Sequence, residues 1–337
     1  MTKTMMNCGI MVVGRCSVAC LSILLLFSIT ILQIDALNGN GATISRRQFA
    51  LRIPTASAAS AAATIFGSSA TNAATTSPSS STTIANRLTS DILTSPPITA
   101  GTKYTGHENL YFPQWMAGDW DATQTLISTK APLGMKFIGG PQGSIDVAQK
   151  VMNDQTKRLN EPVDLKLRFV KTNLGVVEDR AYNLRSRLDS FAGKSVVASV
   201  NYADVRESNR ASVLAAGGLE SDPLMTTLVY FKGPAAQKTF VISFGQDPSD
   251  DASRSDAWSG YELDRSIFAL TNQSTAPPVT TDTEIIYSLK RIGDDRVEGR
   301  LRLAGYLNPQ SDQLYFEAKN RAVSLTDYTI VLSRSKS

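Results

Sequence analysis

Few residues in this 337-residue chain have side chains suited to covalent or metal chemistry. All three cysteines, Cys8, Cys16 and Cys20, lie near the N-terminus, and the only histidine is His107, in a polar stretch. Zinc sites use groups of Cys and His ligands, and a Ser-His-Asp triad needs a histidine at its centre. Beyond Cys20 the chain therefore has no thiolate nucleophile and cannot form a Cys/His zinc site, and we expect His107 to be solvated. We predict no catalytic residue, no metal and no cofactor.

Asp179 and Arg180 are the neighbouring residues with the clearest binding chemistry. A guanidinium can bind a carboxylate or a phosphate through charge-assisted hydrogen bonds, which makes Arg180 a candidate ligand residue. The competing interpretation, which we favour, is that the two residues form an internal salt bridge or an exposed ion pair.

The first 36 residues have the three parts of a secretory signal peptide. Lys3 and Arg15 precede an uncharged run at residues 16–33, and small residues follow it up to Ala36. A basic segment, an apolar segment and a small-residue site are the parts of such a signal. We therefore expect cleavage after Ala36. The alternative is a retained N-terminal membrane anchor, for which this run is short, since a membrane-spanning helix takes about 20 apolar residues.

Residues 37–73 have the composition of an organelle-targeting segment, with many Ser, Thr and Ala and no Asp or Glu. Within them, SRRQFAL at residues 45–51 resembles a twin-arginine export motif with Arg46 and Arg47, and a small-residue cleavage site ends at Ala73. A signal peptide followed by these elements resembles the presequence of a thylakoid-lumen protein in an alga with a complex plastid, such as a diatom. The resemblance implies entry through the ER, plastid import and transit through the twin-arginine translocase.

The positive net charge belongs to this N-terminal part. Six of the 34 basic residues and one of the 30 acidic residues lie in the first 90 residues. The rest of the chain therefore carries a net charge of −1. Nucleic-acid-binding domains show a basic excess, and we predict no nucleic-acid partner. Residues 74–110 are rich in Ser, Thr and Pro and are interpreted as a linker. Residues 111–334 are interpreted as one folded domain.

Alternation of apolar with other residues recurs along residues 111–334, and this period of two is typical of antiparallel strands with one buried face. The clearest sets predicted to share a face are Trp120/Ala122/Leu126, Leu165/Leu167/Phe169, Phe240/Ile242/Phe244, Ile285/Tyr287/Leu289, Leu301/Leu303 and Tyr328/Ile330/Leu332. Gly233-Pro234 and Gly293-Asp294-Asp295 lie where hairpin turns are expected.

Two segments depart from this alternation. Residues 144–159 have helical spacing, with Ser144 as the N-cap, and residues 182–191 fit either a helical turn or the end of a strand. We therefore predict a mainly β fold, an antiparallel β-barrel of about eight to ten strands with one or two short helices. A two-sheet sandwich is the alternative.

Several motifs in this domain resemble those of a known family. The triplet GDW at residues 118–120 resembles the Gly-x-Trp that begins lipocalin-like barrels, and the motifs at residues 168–169, 179–183 and 302–307 follow in order. The set resembles an uncharacterised family of cyanobacterial and plastid proteins, known only as a domain of unknown function with a lipocalin-like barrel. The resemblance extends over nearly all of residues 111–334. It implies a fold and a photosynthetic setting but no activity.

The resemblance also implies a position for Trp120. In lipocalin-like barrels the first-strand Trp packs at the closed end under an Arg from a late strand, so Trp120 is expected to form a cation–π contact with Arg302 or Arg334. The candidate barrel-lining or ligand-binding residues are Trp120, Leu167, Arg180, Phe244, Arg302 and Leu303.

Three functions compete at this point. The predicted inward faces are apolar, and an eight-stranded barrel has room for side chains or one small ligand. The favoured function is therefore non-catalytic binding of a small apolar ligand (a pigment, a quinone or a lipid) in the thylakoid lumen. The second is an assembly or stability factor for a photosynthetic membrane complex. The third and least favoured is an enzyme that uses Asp, Glu or Tyr on an apolar plastid metabolite.

Overall fold

A computed structural model describes residues 83–98, 109–140, 143–203, 226–247, 255–272 and 278–336. The targeting residues Arg46 and Arg47, the predicted processing sites Ala36 and Ala73, and His107 lie outside these residues. The strands are β1 Gly118–Lys130, β2 Pro162–Lys171, β3 Val176–Glu178, β4 Val197–Tyr202, β5 Thr226–Phe231, β6 Ala235–Gln246, β7 Ala257–Leu270, β8 Val279–Arg291, β9 Arg296–Tyr306 and β10 Ser324–Arg334. The α-helices are α1 Ile84–Arg87, α2 Ile145–Thr156, α3 Arg180–Ala192 and α4 Tyr315–Ala318.

The ten strands form one antiparallel sheet in the order β3-β2-β1-β10-β9-β8-β7-β6-β5-β4. From β4 to β10 each strand pairs with the next one in the chain, and β1 then pairs with β10 from Trp120 opposite Arg334 to Lys130 opposite Leu325. The sheet curls into a half-barrel whose two edges are β3 and β4. The predicted mainly β fold is confirmed, with ten strands, and the barrel is a half-barrel.

The two longest described helices begin at side-chain caps. The hydroxyl of Ser144 accepts a hydrogen bond from the Val147 amide at the start of α2, as predicted, and the Asp179 carboxylate accepts one from the Tyr182 amide at the start of α3. Gly193 ends α3 with a φ of 63°, a left-handed conformation that glycine adopts at little cost. Among the described helices, none combines the length and apolar character that crossing a membrane requires.

Helix α3 packs across the open side of the half-barrel, because it contacts both β2 and β4. The amide of Arg168 donates to the Asn183 side chain at 2.7 Å, and the Asn183 side chain donates back to the Arg168 carbonyl at 3.1 Å. One helical turn further on, the Ser186 hydroxyl accepts from the Lys166 amide at 2.8 Å. These side chains hydrogen-bond β2 groups that a neighbouring strand would otherwise pair.

The same helix is tied to β4 at its other end. The Asp189 carboxylate accepts hydrogen bonds from the amides of Val196 and Val197, at 2.7 and 2.9 Å. A helix therefore spans the distance between β2 and β4 and encloses the concave face of the sheet. The segment that the sequence left open between helix and strand is the element that covers the interior.

The larger apolar core fills one end of the concave face. Its buried residues include Trp120, Leu126, Leu165, Leu167, Phe169, Tyr287, Leu289, Leu301, Leu303, Tyr328, Ile330 and Leu332. This distribution agrees with the predicted inward faces of β1, β2, β8, β9 and β10. The predicted turns at residues 233–234 and 293–295 join β5 to β6 and β8 to β9.

The predicted shared face of β6 is wrong. Phe240 and Ile242 belong to the core on the convex side of the sheet, whereas Phe244 packs against the core on the concave side. The pairing of β6 with β7 shifts by one residue between Val241 and Ser243. Such a bulge inserts one extra residue, which reverses the alternation beyond it and turns Phe244 inward.

Residues 83–98, part of the stretch interpreted as a linker, pack on the convex face of the sheet. Ile84, Leu88 and Leu93 are buried there against residues of β6 to β9. The amide of Ala322 also donates a hydrogen bond to the Leu93 carbonyl at 2.8 Å. Both faces of the central strands are therefore covered, the concave one by α3 and the convex one by this N-terminal segment.

Candidate functional site

A chamber of about 160 Å³ lies between α3 and the concave face of the sheet. It is called the inner chamber below. Most of its wall is apolar, and the apolar lining residues are Leu184, Leu188 and Phe191 of α3 with Val241, Ile285, Leu301, Leu303 and the ring of Tyr328 from the sheet. A cavity of similar size with an apolar wall binds a molecule as large as benzene. The inner chamber therefore has room for a group about one ring in size.

A second chamber of about 240 Å³, called the outer chamber, adjoins the first. Gln124, Phe191 and Tyr328 line both, so these three side chains lie at the boundary. The outer chamber is also lined by Glu161 and Gly193, which are exposed to solvent. The outer chamber therefore reaches the protein surface, and the side chains of Gln124, Phe191 and Tyr328 stand between it and the inner chamber.

Two ion pairs form one polar wall of the inner chamber. Arg180 of α3 donates hydrogen bonds to both carboxylate oxygens of Glu262, one at 2.6 Å, and a third to the Asn109 side chain at 3.0 Å. Arg187, two helical turns further on, donates to Glu178 at 2.6 Å. Each guanidinium is thus paired with a carboxylate of the protein. The structure thus places Arg180 in an internal salt bridge with Glu262 and not with Asp179, whose carboxylate caps α3.

The charges of this wall set the protonation of its carboxyl groups. Burial opposes ionisation of Glu178, yet the positive charges of Arg187 and Arg180 hold the pKa of Glu178 below its usual value. Asp264 of β7 differs, because its carboxyl has no salt bridge among the described residues. Burial, and next the negative charge of Glu262, raise the pKa of Asp264 to about 7. Asp264 therefore exchanges its proton near neutral pH.

Two polar atoms in this wall have unused hydrogen-bonding capacity. Oδ1 of Asp264 and the hydroxyl of Tyr287 are buried and have no hydrogen-bond partner in the part of the chain that the structure describes. Burial and then the charge of Glu178 raise the pKa of Tyr287, so its hydroxyl keeps its proton. Most buried polar atoms in proteins are paired, and those that are not need an explanation. A ligand bound in the chamber would supply the missing partner.

Of the six predicted candidate residues, Leu303 and Arg180 line the inner chamber. Leu167 and Phe244 pack in or against the core on the concave face but do not border this chamber. The chamber therefore brings together only two of the residues that the sequence singled out.

Trp120 lies in the core on the concave face and does not line the chamber. It is buried, its indole donates a hydrogen bond to the Met116 carbonyl at 2.7 Å, and the guanidinium of Arg334 lies 4.2 Å from its ring centre. Gly118, at the start of the GDW triplet, has a φ of 115°, and a Cβ there would lie 2.7 Å from Arg334 Nη1. The triplet thus holds Arg334 over Trp120, the arrangement expected from the resemblance. These contacts fix the start of β1 to the end of β10.

Arg302 lies on the other side of the sheet. Its guanidinium binds both oxygens of Asp327, at 2.6 and 3.0 Å, and donates to the carbonyls of Arg87 and Ser90. Because side chains alternate between faces along β9, Arg302 points away from Leu301 and Leu303. Its interpretation as a barrel-lining residue is therefore wrong, and the residue fixes the N-terminal segment to the convex face.

Sequence reasoning found Arg180 but missed the rest of the polar wall, namely Glu178, Arg187, Glu262, Asp264 and the hydroxyl of Tyr287. On β7 the residues Glu262 and Asp264 alternate with the apolar Leu263, a pattern that predicts a solvent-exposed acidic face. The sequence of α3 did contain a signal that this face of the sheet is covered. Leu184, Leu188 and Phe191 recur at helical spacing, which predicts a helix with one buried face and hence a covered sheet.

A sequence model for a domain of unknown function, DUF6816, matches residues 104–235. This finding agrees with the resemblance to an uncharacterised family, over a shorter range than predicted. The matched residues include α3 and Glu178, whereas Glu262, Asp264 and Tyr287 lie beyond them. Comparison of the chain with curated proteins and with solved structures finds no match.

Proposed function

We propose that this protein is a non-catalytic binding protein that holds a small, predominantly apolar ligand in the inner chamber. The observation that supports this most strongly is the chamber itself, enclosed by α3, with an apolar wall and two unpaired polar atoms on one side. Ligand sites are commonly concave and mostly apolar, with a few polar groups that fix the orientation of the ligand.

The dimensions of the chambers limit the size of the ligand. The inner chamber accepts about one ring, and a longer ligand would extend past Phe191 and Tyr328 into the outer chamber. Of the classes predicted from the sequence, a quinone places a ring-sized head in the inner chamber, while a pigment or lipid would place only one end there. The ligand therefore has a compact head, with or without a chain.

A cavity-filling variant tests this proposal. Thr283 lines the inner chamber and is buried, so Thr283→Leu adds apolar atoms to the chamber. Thr329→Leu makes the same change at an exposed position of β10 and is the matched control. With a panel of quinones, carotenoids and lipids, we expect the wild type and the control to gain thermal stability through binding, and Thr283→Leu to lose that gain.

The protein isolated from its native cells supplies a second measurement. We expect its organic extract to contain one apolar compound in an amount close to one per chain. If the panel fails to stabilise the wild type and the native protein carries no such compound, the binding proposal is wrong. Co-purification with a photosynthetic membrane complex in that case would favour the assembly-factor alternative.

We also propose that the protein acts in the thylakoid lumen, on the strength of the order of targeting elements in residues 1–73. Replacing Arg46 and Arg47 by lysine should leave plastid import intact and stop the protein in the stroma. Fractionation of plastids with antibody detection measures this. Arrival of the doubly substituted protein in the lumen would exclude the twin-arginine route.

A further inference from the structure

The charges of the polar wall do not cancel, and this imbalance bears on which ligands the inner chamber can hold. The five ionisable groups of that wall with charges near neutral pH are Glu178, Arg180, Arg187, Glu262 and Asp264. Four of them form the two ion pairs, each with a net charge of zero. Asp264 is the remaining group, and among the described residues it forms no ion pair. An anionic ligand would place a second unpaired negative charge beside it in a poorly hydrated space, which is strongly unfavourable.

Cationic ligands meet a different obstacle in the same chamber. A cation loses its hydration on entering a mostly apolar space. The carboxylates of Glu262 and Glu178 are already bound to Arg180 and Arg187, which leaves only the Asp264 carboxyl to pair with a cation. An uncharged ligand avoids the cost of burying a charge.

The unpaired atoms indicate what this uncharged ligand must carry. A tyrosine hydroxyl both donates and accepts hydrogen bonds, and a carboxyl group accepts them when ionised and also donates when protonated. Tyr287 is 5% exposed, and the negative charges of Glu262 and Asp264 contribute to its raised pKa. Tyr287 and Asp264 both line the inner chamber, so one ligand in the chamber can meet both side chains.

We propose that the inner chamber binds an uncharged, ring-sized group whose polar atoms hydrogen-bond to Tyr287 and Asp264, and that it rejects carboxylates. This inference rests on the proposed binding function and specifies the chemistry of the ligand head. A cyclic ketone or quinone and a cyclic alcohol or phenol share this chemistry. They differ in whether the ligand only accepts hydrogen bonds or also donates them.

Five cyclohexane-sized probes test the proposal by titration of the purified protein, followed by NMR chemical shifts. The probes are cyclohexene, cyclohexanone, cyclohexanol, cyclohexylammonium and cyclohexanecarboxylate. We expect cyclohexanone or cyclohexanol to bind at least tenfold more tightly than cyclohexene, because a buried hydrogen bond that is otherwise unmade is worth about that factor. We expect cyclohexanecarboxylate to bind least tightly.

Two substitutions test whether Tyr287 and Asp264 hydrogen-bond to the polar atoms of the ligand. Tyr287→Phe removes only the hydroxyl, and Asp264→Leu replaces the carboxyl by an apolar group of similar size. Each substitution should lower the affinity for the most tightly bound uncharged polar probe by about tenfold and leave the affinity for cyclohexene unchanged, because only the hydrogen bond is lost. Cyclohexene thereby also reports whether the chamber of each variant remains intact.

The pH dependence of binding separates a ligand head that only accepts hydrogen bonds, such as a ketone, from one that also donates them, such as an alcohol. Asp264 is faced by Glu178 from β3, Arg180 and Arg187 from α3, Glu262 from its own strand and Tyr287 from β8. Its pKa of about 7 means that its carboxyl becomes a pure acceptor as the pH rises above neutrality. Cyclohexanone, which only accepts, should then bind more weakly at pH 8 than at pH 6, whereas cyclohexanol should retain its affinity.

The outcomes separate this inference from the function on which it rests. If no probe binds, including cyclohexene, the proposed binding function fails and this inference fails with it. If cyclohexene, cyclohexylammonium or cyclohexanecarboxylate binds as tightly as the uncharged polar probes, only the inference on head-group chemistry is overturned. Unchanged affinities in both Tyr287→Phe and Asp264→Leu would overturn it equally.

Discussion

The two faces of the sheet both bury charged side chains, but they differ in how completely those groups are paired. On the convex face Arg302 and Arg265 each bind both oxygens of a buried aspartate, and Glu284 accepts hydrogen bonds from Arg87 and from the hydroxyl of Tyr306. On the concave face the ion pairs are accompanied by Asp264 Oδ1 and the Tyr287 hydroxyl, which have no partner among the described residues.

This difference separates a structural network from a candidate site. A buried polar network in which every group is satisfied rigidifies the structure, whereas an unsatisfied group keeps the cost of its lost hydration. On the convex face the network attaches residues 83–98 to the sheet. On the concave face two of the unsatisfied groups, those of Asp264 and Tyr287, border a chamber, which is where a ligand would restore the missing hydrogen bonds.

The largest expected effect comes from breaking the convex network at Arg302. Arg302→Ala leaves the buried Asp327 without its cation and removes the donors to the carbonyls of Arg87 and Ser90. We expect the free energy of unfolding to fall by about 3–5 kcal/mol, as for other broken buried ion pairs. Urea denaturation followed by circular dichroism measures it.

A neighbouring arginine on the same strand provides the control for this experiment. Arg300 is exposed on β9, so Arg300→Ala should change the free energy of unfolding by no more than about 0.5 kcal/mol. Losses of equal size in the two variants would show that the convex network does not stabilise the fold.

A smaller effect is expected on the concave face, and it depends on pH. The pKa of Asp264 is raised from its ordinary value of 3.8 to about 7, so the folded state holds a proton that the unfolded state releases between these values. The resulting stabilisation is complete below pH 4 and is lost as the pH rises through 7. From pH 5 to pH 8 the free energy of unfolding of the wild type should fall by about 2–3 kcal/mol more than that of Asp264→Asn.

The measurement is urea denaturation at several pH values between 4 and 8. Asp294→Asn, in the exposed turn between β8 and β9, is the control and should follow the wild type. A wild type whose stability rises between pH 5 and pH 8 relative to Asp264→Asn would contradict the assigned direction of the pKa shift.

The smallest effects come from two tyrosines that are equally buried, each 5% exposed. Tyr306 on the convex face donates to Glu284 at 2.6 Å, so Tyr306→Phe should cost about 2 kcal/mol of stability, typical of a hydrogen bond to a charged group. Tyr287 on the concave face has no described partner, so Tyr287→Phe should cost less than about 0.5 kcal/mol or be stabilising.

Thermal and urea unfolding of the two variants, without added ligand, give this difference directly. If Tyr287→Phe costs as much as Tyr306→Phe, the Tyr287 hydroxyl has a partner in the protein. The contrast between the two faces would then disappear.

Much of the fold was predictable because β-strands and helix caps have local signatures. The inward faces of β1, β2, β8, β9 and β10, the turn at residues 293–295 and the Ser144 cap all follow from residues close together in the sequence. The bulge in β6 was not predictable from the sequence. An extra residue between Val241 and Ser243 leaves the spacing of Phe240 and Phe244 in the sequence unchanged but places the two side chains on opposite faces of the sheet. Of the residues that line the candidate site, the sequence had predicted only Leu303 and Arg180.

The sequence by itself determined that this is a mainly β domain and that no cysteine lies beyond Cys20, whereas the choice between Arg302 and Arg334 as the partner of Trp120 came from the structure. The tertiary structure alone decided where Glu178, Arg187, Glu262, Asp264 and Tyr287 meet. These residues come from four separate elements, β3, α3, β7 and β8, and a polar residue on a strand carries no local sign of whether its face is covered. That face is covered because α3, held by its neighbours β2 and β4, places Arg180 against Glu262, which lies 82 residues further along the chain, and periodicity cannot encode such a contact.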